Sequence, residues 1–311
     1  MEFSEKARRT NGYLQQNMPQ YLALLEQMVG VNSFTANAVG VNELGLQTAD
    51  LFAELGFKAE TVQSVQQLYG RHLVLTRAGQ REDGRPAPKI GLVSHLDTVF
   101  PPDEEIRNDF HWREQGERIY GPGVVDIKGG TIMIYMILSA LRAIFPTEFE
   151  SVTWVVLLDA SEEVGGRDFG RICVERLGDN ALACLVFEPG NFSGERPHLV
   201  VARKGMAIYR IEVEGKAAHA GSAHAQGANA VLQMADVIER ICCMTDYGRD
   251  LTFNVGTVAG GTVINRVPHF AAASVEMRAF DETVFAEGVA NILALNGLST
   301  VRSGDGAYDC R

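Results

Sequence analysis

The sequence predicts an α/β domain built on a mixed, mostly parallel sheet with flanking helices, followed by a smaller α+β domain. Three observations carry this. Short apolar runs alternate with helix-length amphipathic ones up to about Phe187. Near Leu199 the texture changes to the strict alternation of half-exposed strands. After that point the order becomes strand, helix, two strands, helix. A chain of 311 residues, 46% hydrophobic and 22% charged, is too long for one compact core and suits two. We place the boundary so that residues 1–199 form the first domain and 200–311 the second.

In the first domain, Tyr21 to Val29 and Val41 to Leu55 carry helical apolar spacing, and Gly56 stops the second helix. Strand-like runs follow at Lys58 to Val65 and His72 to Thr76. The polar loop AGQREDGRPAPK separates these from an apolar strand at Ile90 to Ser94. Asp126 to Phe145 reads as a long, largely buried helix and Thr153 to Leu158 as the next strand. A short helix at Asp168 to Leu177 and a buried strand at Ala183 to Phe187 complete the alternation, which implies a largely parallel sheet. In the second domain, Val200 to Val213 alternates as a strand, Ala228 to Cys242 is a helix, Thr252 to Val258 and Phe270 to Arg278 are strands, and Thr283 to Leu295 is a helix. This β-α-β-β-α order is most of a ferredoxin-like unit, with its last strand cut short.

Composition excludes several functions. A formal net charge of -11 argues against nucleic acid or an anionic membrane surface as partner. The sequence holds no apolar run of membrane-spanning length, and the first residues lack the apolar core of a secretory signal. The five cysteines, Cys173, Cys184, Cys242, Cys243 and Cys310, form an odd set without a CxxC pair, which predicts reduced thiols and a cytoplasmic protein.

Residues with the chemistry of metal ligands stand at the ends of three strands, where open α/β sheets bind their ligands. His95 and Asp97 sit two apart in GLVSHLDTV and face one side if extended. Glu162 and Glu163 are adjacent in SEEVGG, directly after a buried strand. Glu188 closes another strand in VFEPG, and Asp126 in GPGVVDIKGG stands at the mouth of the long apolar helix. Each has a plain alternative alone: a hydrogen-bonded histidine, a helix cap at Asp126, solvated turns at the glutamates. Together, one imidazole and several carboxylates suit a borderline divalent metal such as zinc, and shared carboxylates suggest two ions.

These motifs, in order and spacing, resemble the dinuclear zinc metallopeptidases and deacylases, a family that includes glutamate carboxypeptidase, acetylornithine deacetylase, succinyl-diaminopimelate desuccinylase and aminoacylase. The likeness in motifs is strongest to glutamate carboxypeptidase. GKAAHAGSAHAQGANAV and NRVPHFAAASVEMR in the second domain resemble the family's dimerisation or lid domain. The resemblance implies a zinc exopeptidase-like catalytic domain in which His95, Asp126 and Glu188 hold one zinc, while Asp126 bridges to a second that Glu163 also binds. Cobalt or manganese substitutes in such sites. It further implies that Asp97 accepts a hydrogen bond from His95 and fixes its tautomer, and that Glu162 is the general base. His219 matches the lid histidine that stabilises the oxyanion in a partner subunit's site, and Asn265 and Arg278 match residues that bind the substrate's free carboxylate. The family also carries a cis peptide after the bridging aspartate, here Asp126–Ile127.

The longer reach of Glu188 resembles the carboxypeptidase and deacylase members. The expected substrate is therefore a small peptide or an N-acyl amino acid, cleaved beside a free α-carboxylate by a homodimer joined through the lid. Two other readings stand beside it: an aminopeptidase or dipeptidase of the same family, and a catalytically dead dimerisation or binding protein. Family members return from the lid to the catalytic domain with a further segment bearing a last histidine ligand, whereas the last histidine here is His269. The resemblance therefore implies a truncated chain with a weakened second metal site, low activity and a tendency to aggregate.

Overall fold

The computed structural model describes residues 2–166, 168–178, 181–190, 192–194 and 196–311. The chain divides into two compact units at 195/196, four residues before the sequence-based boundary. The first unit runs α1 (Glu2–Val29), α2 (Ala38–Ala53), β1 (Lys58–Gln63), β2 (Arg71–Arg77), β3 (Lys89–His95), α3 (Pro102–Arg107), β4 (Arg113–Gln115), β5 (Arg118–Tyr120), α4 (Lys128–Ile144), α5 (Pro146–Glu150), β6 (Thr153–Asp159), α6 (Phe169–Leu177) and β7 (Ala181–Val186). Its main sheet has the order β1-β2-β6-β3-β7. The β6-β3-β7 part is parallel, and β2 and β1 add to it antiparallel.

The apolar run of β6 follows from its place in the middle of this sheet, where both faces are covered. Period-two alternation assigns the faces. Leu73, Leu75, Val156 and Leu158 join the core beneath α1, α2 and α4, whereas Val74, Val155 and Leu157 pack with Phe169 and Ile172 of α6. Phe52 of α2 is fully buried and meets Phe57 and Tyr135 edge-to-face. Asn37 starts α2 by accepting from the Gly40 amide, a standard satisfaction of a helix's first free N–H groups.

Three features escaped the apolar periodicity. Helix α1 extends back to Glu2 rather than starting at Tyr21. Its first half is mostly exposed, and it is tied down by polar means: Lys6 pairs with Glu148, and Lys6 and Arg9 lie over the Phe145 ring. Helix α3 buries none of its residues, and the β4-β5 hairpin is largely exposed, so neither leaves an apolar imprint.

The second unit contains β8 (Gly205–Glu214), α7 (Ala230–Cys242), β9 (Thr252–Gly260), β10 (Phe270–Ala279) and α8 (Glu282–Leu293). Its antiparallel sheet has the order β8-β10-β9. Val213, Tyr209 and Ile211 face the helices while Met206 and Ile208 face out, as the alternation in the sequence demands. Where the sequence leaves the last ferredoxin-like strand cut short, the Arg311 backbone pairs with Glu214 at the outer edge of β8. Among the described residues, no helix is long and apolar enough to cross a membrane.

Emptying the aromatic junction tests this core. Phe52→Ala should cost about 3–5 kcal/mol, read as a shift of the urea midpoint followed by far-UV circular dichroism.

Candidate metal centre

The parallel strands β3, β6 and β7 end at one edge of the sheet, and their register puts the candidate ligands there. His95 closes β3 opposite Asp159 of β6, and Phe187, just past β7, donates its amide to Val93. Glu188 follows directly, so its carboxylate reaches to 3.8 Å from His95 Nε2. Asp126 approaches from the segment before α4, with Oδ1 at 3.0 Å from the same nitrogen. Potential ligand atoms of His95, Asp126 and Glu163 all lie within 4.8 Å of one another. The donor set therefore fits a divalent cation: one imidazole nitrogen and several carboxylates converging on one point. His95, Asp126 and Glu163 form the cluster that could hold it, and Glu188 stands beside it, 3.8 Å from His95.

The plain reading of Asp126 as a helix cap does not hold. Helix α4 starts at Lys128, its cap residue is Ile127, and no side chain caps it. The peptide between Asp126 and Ile127 is cis. Gly130 explains the glycines of this motif: a Cβ there would stand 2.7 Å from the Phe187 carbonyl oxygen. The first turn of α4 thus rests directly on the backbone that carries Glu188. Lys128 is buried and donates to the Val31 carbonyl at 2.8 Å, which ties the same turn to the end of α1.

Asp97 has a further task beside the expected one at His95. His95 Nδ1 finds the Asp97 main-chain carbonyl at 3.0 Å, closer than the carboxylate oxygen at 3.4 Å. The buried carboxylate also accepts from Thr35 Oγ1 at 2.7 Å and from the amides of Glu162 and Glu163 at 3.1 and 3.2 Å. The added task has a simple cause: the amides of the short 3-10 turn Glu162–Val164 point at Asp97. Burying a carboxylate requires donors of this kind. Asp97 thereby positions the two glutamates, while its carbonyl orients the His95 ring.

The electrostatics are those of an acidic pocket. Burial pulls the His95 pKa down, but the hydrogen bond and charge of Asp97, with the charges of Glu188 and Glu162, outweigh it and raise it to about 9. Burial, with Asp126 repelling, pushes Glu163 up to about 7. Burial also raises Glu162, against the pull of His95 and together with repulsion from Asp97, Asp159 and Asp126. Groups in this state gain from an added cation.

In the second unit, His219 and Asn265 lie on neighbouring loops: the Asn265 carbonyl accepts from Ala220, and His219 bridges to Arg266. His219 Nδ1 accepts from the amides of Gly221 and Ser222, both at 3.1 Å. The proton of the neutral ring therefore sits on Nε2 of this exposed side chain. Arg278 is engaged otherwise: its fork meets the Glu276 carboxylate two residues back on the same face of β10, at 2.7 and 3.2 Å.

The chain thus has an α/β unit with an acidic cluster at its sheet edge, followed by an antiparallel α+β unit. Comparison with known proteins agrees. Residues 201–295 match the model of the M20 peptidase dimerisation domain. Carboxypeptidase G2 of Pseudomonas sp. (strain RS-16) is 29% identical over 261 residues, covering 84% of this chain and 60% of that protein. Acetylornithine deacetylase of Klebsiella pneumoniae (strain 342) is 26% identical over 273 residues, covering 82% and 66%. Among solved structures, aminopeptidase PepT of Bacillus cereus ATCC 10987 shares the fold with a TM-score of 0.67 at 22% identity, over 89% of this chain and 70% of that one. The second unit is thus similar to the M20 peptidase dimerisation domain, and the chain spans about two thirds or less of the length of these curated relatives.

Cation binding here must displace protons, since an imidazolium and a protonated carboxyl cannot ligate. With His95 near 9 and Glu163 near 7, affinity should rise with pH up to about 9. Close to one proton should be released per cation at pH 8, and more below pH 7. Calorimetric titration with Zn²⁺ in buffers of different ionisation enthalpy measures this count directly.

Proposed function

We propose that the protein is a zinc-dependent hydrolase that cleaves an amide bond beside a free α-carboxylate, as a carboxypeptidase or N-acyl-amino-acid deacylase. The observation that carries this is the convergence of His95, Asp126, Glu163 and Glu188 at one sheet edge with Glu162 beside them. The names of the two curated relatives, a carboxypeptidase and a deacetylase, support the same reaction type. His95, Asp126, Glu163 and Glu188 would hold zinc, with cobalt or manganese as substitutes. When bound, the metal supplies Lewis acidity to the scissile carbonyl and the attacking water.

The chain's own residues do the rest. Glu162 takes the proton of the attacking water and passes it to the leaving nitrogen, a role suited to a carboxyl whose pKa is raised. His219 gives its Nε2–H to the oxyanion in a partner subunit's site, because its other nitrogen is already filled by two amides. Asn265 and Arg278 bind the substrate carboxylate, with Arg278 exchanging Glu276 for it. The match at 201–295 supports a homodimer through the second unit. All five cysteines are free, which supports a reducing, cytoplasmic setting.

A second reading, an aminopeptidase or dipeptidase, draws on the Arg278–Glu276 pair, which satisfies the guanidinium without a substrate carboxylate. A panel of N-acyl amino acids and dipeptides, with and without a free C-terminus, separates the two. Absence of turnover by the zinc-loaded chain on the whole panel would favour a binding protein that retains the fold. Glu162→Gln should keep its metal, measured by elemental analysis, and lose about 10²–10⁴-fold in kcat. Near-normal turnover would remove Glu162 from the mechanism.

A further inference from the structure

Behind the glutamate turn lies a second cluster of titratable groups that the hydrolytic scheme does not use. His72 on β2 is fully buried, 0% exposed, one strand over from the end of β6. The Ala160 amide donates to its Nδ1 at 3.2 Å. Its Nε2 faces Asp168 Oδ2 at 3.4 Å. Ala160 and Asp168 are the two feet of the loop that leaves β6, turns through Glu162 and Glu163, and enters α6. We propose that His72 is a positioning residue: one imidazole fastens both ends of the loop and so fixes where its two glutamates stand.

The surroundings are built for this. Asp168 also accepts from the Val65 amide at 2.8 Å, which anchors that foot to the chain beyond β1. Asp159 lies 3.1 Å from Nδ1, and its carboxylate accepts from the amide and hydroxyl of Ser161, the first residue of the turn. The returning leg closes on the same carboxylate: a Cβ at Gly166 would lie 2.0 Å from Asp159 Oδ2. The Phe169 ring covers the imidazole, with centroids 5.4 Å apart. Burial disfavours a charged ring, yet Asp159 and Asp168 outweigh it and hold the pKa above the ordinary value. The ring therefore keeps partners on both sides whether it carries one proton or two.

The geometry also excludes a second metal site. The two aspartates face opposite ring nitrogens, so their oxygens and an imidazole nitrogen do not converge on one point. The partners of the imidazole, Ala160, Asp159 and Asp168, are not among the proposed ligands. Its effect passes through the loop backbone, while Asp97 holds the same turn from the other side. What the loop does chemically rests on the hydrolase reading, but how it is held does not.

The test uses the 311-residue chain and two kinds of readout. His72→Leu removes both contacts at similar volume. His72→Asn returns an acceptor near the position of Nδ1, for the Ala160 amide. Amide hydrogen exchange, which needs no metal, should rise at least tenfold across residues 160–166 in His72→Leu, stay unchanged in β3 and α4, and be partly restored in His72→Asn. Cobalt affinity should fall about 10–100-fold in His72→Leu, with an altered visible spectrum, as for groups that orient metal ligands indirectly. If His72→Leu does not fold, His72→Asn and Gly166→Ala decide, since the latter presses on Asp159 with the imidazole in place. Wild-type exchange across the loop in the folded variants would overturn the inference. Failure of the parent chain to bind cobalt, with the exchange result as expected, would instead remove the metal reading and leave His72 in its role.

Discussion

The arrangement at the sheet edge depends on how one buried carboxylate is satisfied. Asp97 is 1% exposed, and no lysine or arginine is among its hydrogen-bond partners. Beside His95, its charge is met by a hydroxyl and two main-chain amides, so the amides must be delivered to it. Only a chain that turns sharply after β6 can deliver them, and those amides belong to Glu162 and Glu163. The glutamate side chains are then placed as a by-product of satisfying Asp97. The Asp97 carbonyl meanwhile turns the His95 ring so that Nε2 faces Asp126 and Glu188.

This answers why a buried strand ends in adjacent acids. Two neighbouring carboxyls on an extended strand would point to opposite faces, but in a 3-10 turn they diverge by about a third of a revolution. One can then face a cation while the other stands beside it. The same turn explains their raised pKa values: partial burial and the charges of Asp97 and Asp126 raise both, against the pull of His95.

Much of this was legible in sequence, for identifiable reasons. Strands β3 and β6 are largely buried in the sheet, and β7, an edge strand with mostly exposed residues instead of the buried strand expected, still carries an apolar run, so all three are marked within a residue or two. The candidate ligands stood out because charged residues at the ends of such runs are costly without partners. What stayed hidden carries no such contrast. The polar half of α1, the exposed α3 and the β4-β5 hairpin hold no apolar stripe. His72 sits inside an ordinary strand pattern, ninety-six residues from the Asp168 it contacts. The partners of Asp97 are backbone amides, which no residue pattern displays. For Arg278 the sequence showed a fork without showing Glu276 two residues away on the same face.

The absent side chain at position 130 has its own consequence. Because the first turn of α4 touches the Phe187 carbonyl with nothing between, Asp126 and Glu188 ride on two segments held at a spacing set by a single hydrogen atom. The width of the cation pocket is thus gauged by backbone contact and not by the ligands themselves. Adding even a methyl group would wedge helix and strand apart and widen the pocket, with every ligand still present. A lineage carrying this chain could swap many core residues and keep this edge intact, yet the loss of one glycine in the helix's first turn would change the fit of the pocket for a cation.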